Sequence, residues 1–363
     1  TKLDTAVAMN TGPPSSSDDS LRMIDVDSGV PDPPPTEAEA DARVRLLVQE
    51  TEDPLAQDGP NVILNLTRNP KKISSVYVYD QEGTRLFERQ CDTPEYYLRR
   101  VETQLLRAHA GEIVGLCGFP PLIELGAGTA EKTRIVLAEY GKRALRCEYF
   151  PIDIDTQTLV ATAHALASAF PHLHVHCLNA TYQKSLRALP VGSRDRLFLF
   201  LGSSLGNMDL QEIDELLSQL FRAGSTGDHL LLGIDLDKDP AIINAAYNDS
   251  AGWGPRSTLN MLPHLNHRYG GNFLTCNFAY RSQYNARLRR NEVYIESLVD
   301  QSVTLSSLRF SAFFARSEWI EAEVMYKFDP GDLASILDRA GFSMVRRWID
   351  PVYRYGLFLL GHR

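Results

Sequence analysis

The sequence predicts an α/β fold, a doubly wound parallel sheet with a second, smaller α+β lobe, and three observations predict it. Short apolar runs alternate with segments of helical period for more than 100 residues. One of those runs, Leu122–Leu125, opens directly into a glycine turn followed by a helical pattern. After Pro240 a polar stretch interrupts the alternation, which closes again near the C-terminus. Alternating strand and helix signals imply parallel strands with helices on both faces, and such sheets bind ligands beyond the carboxyl ends of their strands.

Each element follows from its local pattern. From Thr1 to about Ala40 the residues Pro, Ser, Asp and Thr dominate, as in Gly12-Pro-Pro-Ser-Ser-Ser-Asp-Asp and Pro31-Asp-Pro-Pro-Pro-Thr. Such a segment buries too little apolar surface to fold alone, so a disordered acidic leader is expected over 1–42. Over 43–113, short apolar groups and helical segments form the first part of the second lobe, with a helix expected from Glu95 through Leu106. The core over 114–239 reads as strand Leu122–Leu125, helix Glu131–Tyr140, strand Cys147–Ile152 and helix Thr156–Phe170. It continues with strands Leu173–Cys177 and Leu197–Leu201, helix Asp209–Ala223 and strand His229–Ile234. Between about Pro240 and Arg290 the chain is rich in Asn and Tyr, and strands over Glu292–Leu298, Val303–Phe310 and Glu318–Phe328 then complete an insertion spanning 240–328. Helix Pro330–Ala340 and strands Phe342–Arg347 and Tyr355–Leu360 return the chain to the core over 329–363. A cleft between core and lobe is a common seat for a small substrate.

Composition narrows the function. The net charge of −9 comes from residues 1–60, which hold four basic and thirteen acidic side chains, while the rest balances 33 of each sign. Neither a basic nucleic-acid groove nor a polybasic membrane patch is indicated. No run of about 18 apolar residues and no signal-like segment occurs. The cysteines Cys91, Cys117, Cys147, Cys177 and Cys276 are odd in number and form no CxxC pair. That pattern suits reduced packing thiols in a cytoplasmic enzyme. A monomer acting on a small molecule, with no nucleic-acid or membrane partner, is expected.

The segment Leu122-Ile-Glu-Leu-Gly-Ala-Gly-Thr-Ala-Glu-Lys-Thr-Arg134 reads as a nucleoside-binding loop. Gly126 and Gly128 let the backbone turn sharply and approach a ligand, and amides at the start of the following helix bind polar groups. Glu131 stands where a dinucleotide fingerprint has its third glycine, and an anion at a helix N-terminus disfavours a pyrophosphate. An NAD-dependent oxidoreductase is therefore disfavoured. A cofactor without phosphate and with a positive centre, S-adenosyl-L-methionine (AdoMet), fits better. Asp153, at the end of the second strand, is the candidate for its ribose hydroxyls.

Together these segments resemble the histidine-specific AdoMet-dependent methyltransferases. The resemblance runs from about Tyr77 to Leu360 and is carried by Tyr79-Asp-x-x-Gly83 with Leu86-Phe87, Pro94-Glu-Tyr-Tyr97 and the loop Glu124 to Arg134. Further along it is carried by Phe200-Leu-Gly-Ser-Ser-Leu-Gly-Asn207, Leu231-Leu-Gly-Ile-Asp-Leu-Asp-Lys-Asp239, Ala246-Tyr-Asn-Asp249 and Glu323-Val324 before Lys327-Phe328. It implies a Rossmann-like class I methyltransferase core that uses AdoMet and releases S-adenosyl-L-homocysteine. The implied reaction is N-α-methylation of a free amino acid, with histidine first and its trimethyl betaine, hercynine, as product in ergothioneine biosynthesis. On the cofactor side the resemblance implies Gly126, Gly128, Thr129, Lys132 and Asp153. At the adenine, Thr181-Tyr182 stands where the family has an acidic residue followed by an aromatic one, a pairing similar to fungal relatives that methylate a prenylated tryptophan.

For the substrate, Asn207 and Tyr247 match the pair that holds the α-carboxylate, and both are neutral donors. Gly202 lets backbone approach the amine, and Tyr79 and Tyr96 match pocket tyrosines. Glu323 matches the carboxylate that bonds the imidazole, but Met325 stands where the histidine enzymes carry a small hydroxyl. Methionine donates nothing and offers a soft, adaptable surface. Tryptophan, tyrosine or an indole derivative is thus the rival substrate, and a silent AdoMet-binding regulatory protein is the rival class. Competing structural readings make Asn207 a helix cap ahead of Asp209 and the tyrosines half-buried core.

Methyl transfer is an in-line displacement needing a free amine lone pair and alignment, with no metal or covalent nucleophile. Tyr79 and Gly202 are the candidate catalytic residues, Tyr79 as acceptor or relay of the ammonium proton. His172-x-His174-x-His176 places three imidazoles on one strand face, read as the polar face of that strand rather than a metal site. The pair His264-x-x-His267 is likewise not read as a metal site.

Overall fold

A strand covered by helices on both sides has no solvent face, so the continuous apolar runs become the centre of the main sheet. The computed structural model describes residues 37–49, 55–189 and 195–363. In chain order these give α1 (Glu37–Asp41), β1 (Val44–Gln49), α2 (Gly59–Thr67), α3 (Gln81–Cys91), α4 (Tyr97–Leu116), β2 (Leu122–Leu125), α5 (Thr133–Gly141) and β3 (Cys147–Asp153). Next come α6 (Thr156–Ala169), β4 (Leu173–Asn179), α7 (Tyr182–Ala188), β5 (Leu197–Phe200), α8 (Leu210–Ala223), β6 (His229–Asp235), α9 (Pro240–Tyr247), α10 (Trp253–Leu259) and α11 (Met261–Tyr269). The chain closes with β7 (Phe278–Asn285), β8 (Arg290–Ser297), β9 (Gln301–Leu305), β10 (Phe310–Phe314), β11 (Trp319–Tyr326), α12 (Pro330–Arg339), β12 (Phe342–Ile349) and β13 (Tyr355–His362).

Eight strands form one sheet in the order β1-β4-β3-β2-β5-β6-β13-β12. The first six run parallel, and β13 and β12 add antiparallel at one edge. The chain runs outward from β2 through β3 to β4 and then crosses back to β5 on the other side of β2, so the glycine turn sits at the topological switch point. Alternate residues feed two cores. Leu122, Leu197 and Leu199 pack on one face, and Ile123, Leu125, Phe198 and Phe200 on the other.

A third core lies apart from the main sheet, around Tyr97, Val101, Ile243, Leu265, Val293 and Ile320. It is walled by the antiparallel sheets β11-β8-β7 and β10-β9. Helix α4 links the cores: Tyr97, Leu98 and Val101 enter the third, while Leu106, Ile113 and Val114 enter the core on the main sheet. One continuous helix therefore fixes the spacing of these two cores.

Several expectations need correction. Residues 1–36 of the acidic leader lie outside the described residues, but 37–41 form α1, where Ala40 is buried and Asp41 pairs with His164 at 2.8 Å. β1 joins the main sheet beside β4, so the stretch 43–113 is not confined to the second lobe. The expected strand Val303–Phe310 is instead the hairpin of β9 and β10, turned at Ser306–Leu308 with Arg309 at φ 50°. The polar stretch after Pro240 folds into α9, α10 and α11. Four cysteines are buried as expected, but Cys276 is exposed. Glu148, absent from the sequence reading of the histidine triplet, meets His176 Nε2 at 2.5 Å and leaves that imidazole in a structural pair.

The motif Tyr79-Asp-x-x-Gly83 is a helix start. Asp80 caps α3 by accepting the Gly83 N–H at 2.7 Å, and Asn260 Nδ2 donates to the same oxygen at 2.7 Å. A Cβ on Gly83 would lie 1.6 Å from the Val78 carbonyl oxygen, which belongs to backbone and cannot swing aside. Gly83→Ala is expected to destabilise the fold by about 3 kcal/mol, the upper range for overpacking. Urea unfolding checks this, and a loss under about 0.5 kcal/mol, the range of a neutral surface change, would contradict it.

Candidate active site

The cofactor side is built by the ends of β2 and β3. Gly126 and Gly128 adopt φ +70° and +49°, conformations that favour glycine. The amides of Gly126 and Ala127 donate to Ile152 O at 2.9 and 3.1 Å, tying the turn to β3. Asp153, the last residue of β3, accepts the Gly128 N–H at 2.8 Å and the Asp155 N–H at 3.0 Å. A Cβ on Gly126 would stand 2.9 Å from the Tyr182 hydroxyl, so the turn and Tyr182 meet only because Gly126 has no side chain. Burial, then the Asp153 carboxylate, pushes the Tyr182 phenol up to about 12. Thr129 in the turn and Thr181 at the N-cap of α7 are exposed. Glycine backbone, a strand-end carboxylate and a neutral aromatic suit a nucleoside such as that of AdoMet.

Glu131 does not open the helix that follows the turn. Helix α5 begins at Thr133, two residues after the expected start, and Glu131 points out to pair with Arg99. Its charge is compensated, so Glu131 no longer counts against a phosphate, and the acid Asp153 carries the nucleoside reading. Glu124 is part of the scaffold: buried in β2, it accepts Thr133 Oγ1 at 2.6 Å and the Tyr149 hydroxyl, and burial pushes its carboxyl up to about 7.

The sequence reading missed Glu102. Glu102 of α4 is fully buried; it accepts the Gly202 N–H at 2.8 Å and the Tyr355 hydroxyl at 2.7 Å and pairs with Lys132 Nζ at 2.5 Å. It thereby ties the glycine-turn side, through Lys132, to Gly202, which turns at φ +82° after β5. The signal was present: in Leu98-x-x-Val101-Glu102-x-x-x-Leu106 a carboxylate occupies the apolar face of a helix.

Four aromatic side chains follow one another in contact. Ring centroids of Tyr79–Phe87, Phe87–Tyr96 and Tyr96–Tyr247 are 6.0, 5.9 and 6.2 Å apart, each edge to face. Tyr96 and Tyr247 are buried, while Tyr79 keeps 48% of its surface open. Desolvation by its neighbours, then the Glu323 carboxylate, nevertheless raises the Tyr79 phenol above its ordinary range. A phenol that stays protonated at neutral pH offers both a donor and an acceptor to an amine.

Glu323 and Met325 sit two residues apart on β11 and so share a face. Thr258 Oγ1 donates to Glu323 at 3.0 Å, and burial pushes the carboxyl up to about 7. Met325 is buried in the third core. Asn207, itself exposed, ends a 3₁₀ turn, Ser204–Asn207, whose Leu205 and Gly206 are buried against β11, where Gly206 comes so close that a Cβ would lie 2.8 Å from Tyr326 O. It is not a helix cap. Asp209 caps α8 itself, in a capping box with Glu212.

A carboxyl raised on folding favours the folded state while protonated. Its contribution is full below about 4.5 and lost as pH rises through about 7. Glu323→Gln, neutral throughout, is expected to flatten the fall in ligand-free thermal stability across that window relative to wild type. Parallel stability curves for the two proteins would contradict the buried placement of this carboxyl.

Among the described residues no group of His, Cys, Asp or Glu is arranged to hold a metal ion, and no helix is long and apolar enough to cross a membrane. A family profile described as histidine-specific methyltransferase, SAM-dependent, matches residues 57–362. A histidine N-alpha-methyltransferase of Mycolicibacterium smegmatis is 33% identical over 299 residues, covering 82% of this chain and 93% of that protein. Ergothioneine biosynthesis protein 1 of Neurospora crassa is 27% identical over 80% of this chain and 33% of its own length. A 4-dimethylallyltryptophan N-methyltransferase of Claviceps purpurea is 23% identical, covering 80% of this chain and 90% of that protein.

Proposed function

This chain belongs to the histidine-specific, SAM-dependent methyltransferase family, and we propose that it methylates the α-nitrogen of free histidine, through to the trimethyl betaine hercynine. The observation that carries this reading is that Tyr247 ends an edge-to-face aromatic row begun by Tyr79, and that the Glu323 carboxylate acts on both phenols, so that a neutral donor for an α-carboxylate and a carboxylate for an imidazole N–H share one neighbourhood. The histidine enzyme among the relatives supports the same substrate.

When bound, AdoMet supplies an electrophilic methyl group on a sulfonium. In this reading Asp153 holds its ribose, Thr181 and Tyr182 flank the adenine, and Gly126, Gly128, Thr129 and Lys132 surround its amino-acid end. Asn207 and Tyr247 hold the substrate carboxylate, while Gly202 backbone and the phenols of Tyr79 and Tyr96 orient the amine. Each attack needs the neutral amine, and Tyr79 accepts or relays the proton it gives up. Proximity and alignment supply the rate.

Met325 favours a second reading, in which its soft surface receives an indole, as the dimethylallyltryptophan enzyme among the relatives also suggests. Initial rates with histidine, tryptophan and tyrosine decide between them. The proposal expects kcat/KM for histidine to lead by about tenfold or more, a difference of roughly 1.4 kcal/mol in transition-state binding. A lead by tryptophan installs the indole reading, and AdoMet binding without turnover of any amino acid installs the silent binder.

A further inference from the structure

We propose that Lys327 is a positioning residue for the carboxylate end of the substrate, its buried ammonium fixing the Tyr247 hydroxyl so that the hydroxyl proton points into the cleft. The inference rests on the reading of Tyr247 as a carboxylate ligand. Lys327 directly follows β11 and is 1% exposed. Its Nζ donates to the Tyr247 hydroxyl oxygen at 2.8 Å, pairs with Asp235 Oδ2 at 2.9 Å and stands 4.9 Å from the Tyr247 ring centroid. An ammonium has only donors, so the tyrosine oxygen must accept from it, and the tyrosine's own proton is left to point elsewhere. No described residue takes that proton in a hydrogen bond.

The charges around this contact give the vector a purpose. Asp235, fully buried at the end of β6, also binds the Lys238 ammonium and accepts the Tyr97 hydroxyl at 2.8 Å. One carboxylate faces two ammonium groups, so the cluster carries an excess positive charge that a substrate carboxylate at Tyr247 would balance. A buried charge left without compensation is costly. The Asp235 N–H donates to Ser203 Oγ at 3.0 Å, and Ser203 joins Gly202 to the turn bearing Asn207. A single aspartate thus anchors both arms of the proposed carboxylate clamp. The alternative is an ion pair that merely joins β6 to the third core.

The two differ in how Lys327 and Tyr247 depend on each other. Lys327→Met leaves Asp235 with Lys238 and Tyr97, so the remaining cluster is still paired. Calorimetric titration of histidine into the full chain saturated with S-adenosyl-L-homocysteine is expected to show K327M binding about 10–100-fold more weakly, with cofactor affinity unchanged. Lys327→Arg should recover part of that loss. In a Tyr247→Phe background the same lysine substitution should cost less than about threefold, because the group it positions is gone. Unchanged histidine affinity in K327M, or an equal loss in both backgrounds, overturns the proposal. Should K327M fail to fold by circular dichroism, Lys327→Gln replaces it under the same criteria. A wild-type protein that binds no amino acid overturns the proposed function and this inference with it, whereas wild-type binding with an unaffected K327M overturns this inference alone.

Discussion

Replacing Glu102 by alanine is expected to lower the unfolding free energy by about 3–5 kcal/mol, the cost of removing one partner from a buried ion pair. The Gly202 N–H, the Tyr355 hydroxyl and Lys132 all lose their acceptor at once. Gly233 shows how closely this carboxylate is packed, since a Cβ there would fall 1.9 Å from Glu102 Oε1. Glu102→Gln keeps an acceptor for Gly202 and Tyr355 but not the charge, so its loss should be smaller, about 1–3 kcal/mol. Urea unfolding of both variants checks the order, and an alanine variant within about 1 kcal/mol of wild type would contradict the hub assigned to this residue.

Asp153→Ala is the second large effect. On the proposed ribose clamp, a carboxylate bonded to two hydroxyls contributes about 1.5–3 kcal/mol per bond, so AdoMet affinity should fall on the order of 100-fold or more. Part of that loss comes from the glycine turn, whose Gly128 N–H is held by the same side chain. Calorimetric titration of AdoMet measures it. An affinity within about threefold of wild type, under 1 kcal/mol, would place the ribose elsewhere.

What could be read from the sequence divides along a physical line. β2, β5 and β6 were legible because strands buried on both faces read as near-continuous apolar runs, β3 because its buried positions alternate from Cys147 to Pro151, and the glycine turn because its positive φ values restrict the residue type. β1 was missed because it is an edge strand with Leu46 and Leu47 exposed, and its pairing with β4 joins residues more than a hundred positions apart. The β9–β10 turn was missed because Arg309, not glycine, adopts its left-handed conformation. Helices α9 to α11 were hidden by a polar composition, since their order comes from packing Ile243, Ala246, Met261, Leu262 and Leu265 into the third core.

The site shows the same division. Motif residues that must be a particular type, such as Gly83, Gly126 and Asp153, announced themselves. Glu102 and Lys327 act through burial and through partners far away in sequence. Their importance is a property of the folded neighbourhood, and the first hint of it in the sequence is a charge standing where an apolar residue would be expected.

The central claim is that this cleft presents the α-nitrogen of free histidine to AdoMet. Tandem mass spectrometry of the product from AdoMet and histidine tests it directly, because fragmentation assigns each methyl group to the α-nitrogen or the imidazole. The account predicts successive mono-, di- and trimethylated products with every methyl on the α-nitrogen. Methyl groups on the imidazole, or no transfer to histidine while AdoMet remains bound, would contradict it.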